Sequence, residues 1–154
     1  IGDMERDPAC TNDLRKQLLQ SGLRSRITLA GVLPDLELQR QYAKSDVFVM
    51  SSHHEGYGMV LMEAVARGLP IVCTMAGAMA ETAPDEASLK VPPGDAPALA
   101  EALRKIISDK KLRQRLADNS WDRSRLLPRW ETTAETIAKV IKSVHGATRT
   151  NVSP

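Results

Sequence analysis

The chain has 154 residues, 42% of them hydrophobic and 26% charged, with a formal net charge of +2. That balance describes a globular chain long enough to bury one core and excludes intrinsic disorder. The low charge and an aromatic content of 3% argue against a nucleic-acid partner, and no apolar run reaches the ~20 residues that span a bilayer.

Ile1-Gly2-Asp3 opens the chain without a methionine and reads as a strand running into a loop, which predicts further chain ahead of it. Leu14, Leu18 and Leu19 share one helical face, closed by Gly22 as a left-handed cap. Ile27-Thr28-Leu29-Ala30 is the first clear strand, ended by Gly31. Asp35 is placed to cap a helix carrying Leu36, Leu38 and Tyr42. Val47–Met50 is the second strand and leads into Ser51-Ser52. Ile71–Thr74, introduced by Pro70, is the third, and Leu89–Val91, stopped by Pro92-Pro93-Gly94, the fourth. Asp95 precedes a helix whose apolar stripe is Leu99, Leu103, Ile106 and Ile107. Beyond Lys110 two amphipathic stretches are broken by Pro128; the last runs to about Val144, and His145–Pro154 reads as a frayed polar tail.

Strands alternating with helices predict an α/β fold, a Rossmann-like parallel sheet with helices on both faces. Cys10 and Cys73 have no motif spacing and read as free thiols of a reducing, cytoplasmic compartment.

The stretch that carries chemistry is Glu55-Gly56-Tyr57-Gly58-Met59-Val60-Leu61-Met62-Glu63-Ala64, which follows a strand and opens a helix. In an open parallel sheet, ligands bind at the carboxyl ends of the strands. Glycines there let backbone amides approach a guest, and the helix dipole favours an anion such as phosphate. Glu63 has apolar helical neighbours, which predicts a helix buried nearly all round and a carboxylate in need of partners. Ribose hydroxyls would serve; the alternative is an ordinary i, i+4 pair with Arg67. Glu55 lies eight positions earlier, which a helical rise would convert into ~12 Å along the axis. That separation suits two ends of one long ligand better than a glycosidase acid–base pair, which needs roughly 5–9.5 Å. The plainer reading of Glu55 is a helix N-terminal acid stabilised by the dipole.

The segment from Glu55 to Glu63 resembles the glutamate–seven residues–glutamate motif of the retaining family 4 glycosyltransferases, which have two Rossmann-like domains. Ile27–Leu33, Tyr42–Val47, Gly68–Val72, Ala76–Glu81 and Val91–Asp95 extend the similarity from about Ile1 to Val144. The resemblance departs at Ala80, where the family has proline, and the family's diphosphate-clamping Arg and Lys fall upstream of Ile1. It implies a partial C-terminal, donor-binding domain of a two-domain enzyme: residues 1–127 the nucleotide-sugar-binding part, 128–145 a C-terminal helix packing back toward the other domain, and 146–154 a disordered tail. Glu55 would be the catalytic-site residue, contacting the transferred hexose as a sugar-positioning or transition-state group and not as a nucleophile. Glu63 would hold the ribose, while Gly56 and Tyr57 belong to the same substrate-binding segment. Backbone at Gly58, Met59 and Val60 would meet the diphosphate and sugar, and Val32 and Leu33 would border the base. The reaction would retain anomeric configuration and use neither cofactor nor metal. The partners implied are a nucleotide-diphosphate sugar donor and an acceptor of unstated kind (glycan, lipid or small molecule), without nucleic acid; peripheral membrane contact is left open and not indicated. This stretch alone would be inactive.

Other candidates read more plainly. His53 and His54 lack a further ligand at metal spacing and belong to a loop edging the pocket. Arg104, Lys105, Lys110, Lys111, Arg113 and Arg115 are interspersed with acids and read as a solvated face. Trp130 reads as a packing anchor, and Gly77 with Glu81 either shapes a loop near the donor or forms a structural turn. Two competing functions are a non-catalytic nucleotide-sugar-binding module needing a partner subunit and a dinucleotide-dependent oxidoreductase. The second is disfavoured because no G-x-G-x-x-G follows a strand.

Overall fold

The structure, a computed structural model, describes residues 1–127 and 130–149, with the side chains of 145–149 outside the description. Two units divide the chain at Ser45/Asp46.

In the first unit, helix α1 (Pro8–Ser21) begins where the Asp7 carboxylate accepts from the Cys10 amide at 3.0 Å, and it ends at Gly22 in the left-handed region. Pro8 fits at the start because its missing N–H has no helical partner there. Of the expected apolar face, Leu18 is half-buried, whereas Leu14 and Leu19 are exposed. The segment at Ile27–Ala30, read from sequence as a strand, is not one. Strand identity comes from a ladder of bonds to a neighbour; among the described residues no ladder forms here, and Gly2 N–H donates to the carbonyl of Gly31, just past the segment, at 2.9 Å. Helix α2 (Asp35–Lys44) is capped by Pro34, not Asp35, which occupies the first turn and there complements the dipole. Tyr42 is its buried residue.

The second unit is built on a parallel sheet in the order β1-β2-β3, formed by Phe48–Met50, Ile71–Thr74 and Ser88–Val91. Phe48 pairs with Ile71 and Ile71 with Ser88, so the strands run side by side in one direction. All four residues of β2 are buried, as its unbroken apolar run predicts for a central strand. Helices flank the sheet: α3 (Met59–Val65) packs on β1 and β2, α4 (Met79–Thr82) on β2, and α5 (Ala96–Ser108) on β2 and β3. Helix α6 (Lys110–Ser124) packs on α3 and α5. Aspartates start both long helices: Asp95 accepts from the Ala98 amide and Asp109 from the Leu112 amide, each at 2.9 Å.

Val72, Ile106, Leu112 and Leu116 form one cluster of the core, with Leu99, Ala102 and Leu103 against it. Ile107, read as part of the α5 stripe, is 67% exposed. At about 100° per residue it sits roughly 80° round from Leu99, past the edge of the face that Ala102, Leu103 and Ile106 complete. Helix α7 (Trp130–Arg149) continues beyond the expected end near Val144. Ala147 and Arg149 are strong helix formers and extend it despite Gly146. Of the expected tail, 150–154 lies outside the described residues, as does the break at Pro128. No helix among the described residues is long and apolar enough to cross a membrane.

Candidate functional site

Parallel strands deliver their carboxyl ends to one edge of a sheet, so the loops after β1, β2 and β3 emerge together. Hydrogen bonds knit them. The Thr74 hydroxyl donates to the Ser52 carbonyl at 2.6 Å, fixing the end of β2 to the loop after β1. The Met75 amide donates to the Val91 carbonyl at 2.8 Å, extending the β2–β3 ladder. The Ala78 amide donates to the Glu55 carbonyl at 3.1 Å. Gly94, after β3, faces the His53 ring closely enough that a Cβ would lie 3.6 Å from its Cε1.

Glu55 stands where the loops after β1 and β2 meet. It is half-buried, and its Oε1 accepts from the Gly58 amide at 3.2 Å, so the carboxylate closes over the start of α3. This carries out the plain reading of Glu55 as a helix N-terminal acid. Gly58 is buried and caps α3 at φ 81°, a left-handed conformation that disfavours L side chains. Gly56 has an ordinary φ and nothing within 4 Å of where a Cβ would be. Tyr57 and Met59 are exposed, at 63% and 70%, and Val60 is also exposed, so this edge of the loop and of α3 faces solvent.

Glu63 is half-buried on α3. The helix is not buried all round, as its apolar composition suggests: Leu61, Ala64 and Val65 turn inward while Met59 and Val60 face out. A seven-residue helix lying on a sheet has one covered side. The Arg67 guanidinium donates to the backbone carbonyl of Glu63 at 2.8 Å. Helical rise applies only from Met59 onward, because Glu55–Gly58 is loop; the ~12 Å separation expected from an unbroken helix therefore does not carry over. Val32, exposed, and Leu33, half-buried, belong to the first unit.

Sequence reasoning missed two supports of this loop cluster, Thr74 and Lys90. Thr74 is the polar end of an apolar strand, a signal that could have marked a side chain turning to bond a neighbouring loop. Lys90 donates to the Ala80 carbonyl at 2.7 Å and pairs with Asp85, tying α4 to β3. Gly77, read from sequence as shaping a loop near the donor or forming a structural turn, has φ 56°, and a Cβ there would run into the backbone of Glu55. Below them, burial pushes the Cys73 thiol up to about 11, with Lys90 acting weakly the other way. No three His, Cys, Asp or Glu side chains gather among the described residues as metal ligands would.

The sequence pattern of the glycosyl transferases group 1 family matches residues 7–123. The chain belongs to this family. Among curated relatives, it is 38% identical over 108 residues to a lipopolysaccharide core biosynthesis glycosyltransferase, LpsE, of Rhizobium meliloti, covering 70% of this chain and 31% of that one. Among solved structures, sucrose-phosphate synthase from Thermosynechococcus elongatus superposes with a TM-score of 0.78 at 30% identity, over 90% of this chain and 35% of that one. Anabaena Alr3699/HepE in complex with UDP-glucose gives 0.76 at 25% identity, over 86% and 36%. This group 1 chain thus spans about a third of the length of these proteins. Its strand-end loops are the part of such a fold where a ligand is received.

Proposed function

We propose that the chain is the donor-binding part of a retaining glycosyltransferase that moves a hexose from a nucleotide-diphosphate sugar to an acceptor. The observation that carries this is the meeting of the loops after β1 and β2 at Glu55, with the loop after β3 beside His53 and Glu63 half-buried on the helix that follows. Membership of the family and the UDP-glucose bound by the Anabaena relative support the choice of donor.

In this reading Glu63 accepts hydrogen bonds from the ribose, and the segment Gly56–Val60 borders the diphosphate and sugar. Glu55 contacts the hexose, and the backbone at Val32 and Leu33 borders the base, as the family resemblance implies. The bond from the anomeric carbon to the diphosphate breaks, and a bond to an acceptor oxygen forms on the same face. Residues 1–127 form the nucleotide-sugar part. The helix within 128–145 packs toward another part of a longer protein, which the exposed stripe of Ile137, Val140, Ile141 and Val144 supports. Free thiols at Cys10 and Cys73 fit a cytoplasmic location.

The test uses the full-length protein. Calorimetry with UDP reads Glu63→Gln, which keeps shape but weakens charge-assisted bonds; affinity falls about 10- to 150-fold, or roughly 1.5–3 kcal/mol. NMR of the product formed from UDP-glucose reads the anomeric configuration. Unchanged UDP affinity in the variant, or an inverted product, refutes the proposal. UDP binding without turnover of any nucleotide sugar leaves the non-catalytic module standing in its place.

A further inference from the structure

We infer that Gly77, on the loop after β2, is a positioning residue that sets where the Glu55 carboxylate stands; this rests on the reading of Glu55 as the sugar-contacting group. Glu55 is held at two points. Its carboxylate accepts from the Gly58 amide at 3.2 Å, and its carbonyl accepts from the Ala78 amide at 3.1 Å. The second bond forms only because residue 77 brings its backbone flat against that of Glu55. A Cβ on Gly77 would overlap the Glu55 carbonyl oxygen and stand 3.3 Å from both the carbonyl carbon and the nitrogen. The obstacle is backbone, not the flexible end of a side chain, so relief requires the backbones of Gly77 and Glu55 to move apart by on the order of half an ångström, which disturbs the hold on Glu55.

A displacement of that size matters at Glu55 and little at Glu63. Groups acting at a reacting centre must be held to about 0.5 Å of their productive geometry. Glu63 lies on α3, whose inward residues Leu61, Ala64 and Val65 are fully buried, on a helix packed against β1 and β2. Residue 77 thus acts on turnover through Glu55 and far less on the ribose contact at Glu63. The same loop has a separate tie, from Lys90 to Ala80 and Asp85, which does not touch Glu55.

The experiment is a mutant cycle in the full-length protein, reading kcat with UDP-glucose and UDP affinity by calorimetry. Gly77→Ala lowers kcat about 10- to 100-fold, while UDP affinity stays within about twofold. In the Glu55→Gln background, Gly77→Ala lowers kcat no further, because its route of action is already lost. Lys90→Met loosens the loop without displacing Glu55 and keeps kcat within about threefold. Full multiplication of the two losses in the double variant would overturn the inference, since Gly77 would then act by another path. Loss of UDP binding in Gly77→Ala overturns it too, making the glycine a support of the whole unit. A fall in kcat from Lys90→Met equal to that of Gly77→Ala has the same effect. Unchanged kcat in Glu55→Gln refutes the underlying reading of Glu55, and the inference falls with it; that result is distinct because it appears in the single variant of Glu55.

Discussion

Replacing each glycine of Gly56-Tyr57-Gly58 by alanine isolates the conformational demand of the loop that presents Glu55. Both substitutions restrict the unfolded chain alike, a gain of about 0.4–1 kcal/mol where the native conformation accepts alanine. Gly56 accepts it: its φ is not positive and no atom lies within 4 Å of a new Cβ. Gly58 does not, at φ 81°, although there is room, with Leu61 Cβ and Met79 Cγ each 3.7 Å from the added atom. The unfolded-state term cancels between the two variants and steric overlap is absent, so their difference is the left-handed penalty alone, about 1–2 kcal/mol. At roughly 2–4 °C per kcal/mol for a domain of this size, the midpoints separate by about 2–8 °C. Thermal unfolding followed by far-ultraviolet circular dichroism measures the gap, and Gly58→Asn, which tolerates the left-handed region, recovers part of it. Coincident midpoints for Gly56→Ala and Gly58→Ala, or a lower one for Gly56→Ala, would refute the reasoning.

Ile106 is fully buried in the core whereas its neighbour Ile107 is exposed; urea unfolding should show a loss of about 2–5 kcal/mol for Ile106→Ala and less than about 0.5 for Ile107→Ala. Cys73 has its thiol pushed up to about 11 from 9.0 by burial, so the folded state holds the proton more tightly than the unfolded. Stability attributable to it is intact below pH 9 and falls as pH rises through 11; Cys73→Ala removes that component of the slope in unfolding measured from pH 8 to 11. A thiol reagent at pH 8 should label exposed Cys10 quickly and Cys73 only after denaturant is added. Ser120 is fully buried and its hydroxyl has no hydrogen-bond partner among the described residues; in urea unfolding Ser120→Ala should leave the stability unchanged or raise it, by up to about 1–3 kcal/mol.

Much of this protein is written in short stretches of its sequence. The run Ile71-Val72-Cys73-Thr74 can satisfy its burial only in the middle of a sheet, and it is the central strand. Asp95 and Asp109 cap the helices that follow them because a short carboxylate three residues ahead of an amide needs no distant help. Gly22 ends α1 for an equally local reason. The two glutamates and the glycines between them were legible as a unit because the pattern is contiguous.

What the sequence could not decide depends on neighbours supplied by remote segments. Ile27–Ala30 has the composition of a strand, yet a strand exists only against a partner, and among the described residues no ladder forms there. The faces of α3 were misjudged because an apolar helix does not reveal which side a sheet will cover; β1 and β2 cover Leu61, Ala64 and Val65 and leave Met59 and Val60 to solvent. Glu55 is the sharpest case. Its residue type and its place before α3 are local facts, but the position of its backbone is set by Ala78 and Gly77, at the far end of the next strand. A hydrogen bond between loops that are distant in sequence has no periodicity or cap to announce it, and only the parallel pairing of β1 with β2 brings its two ends together.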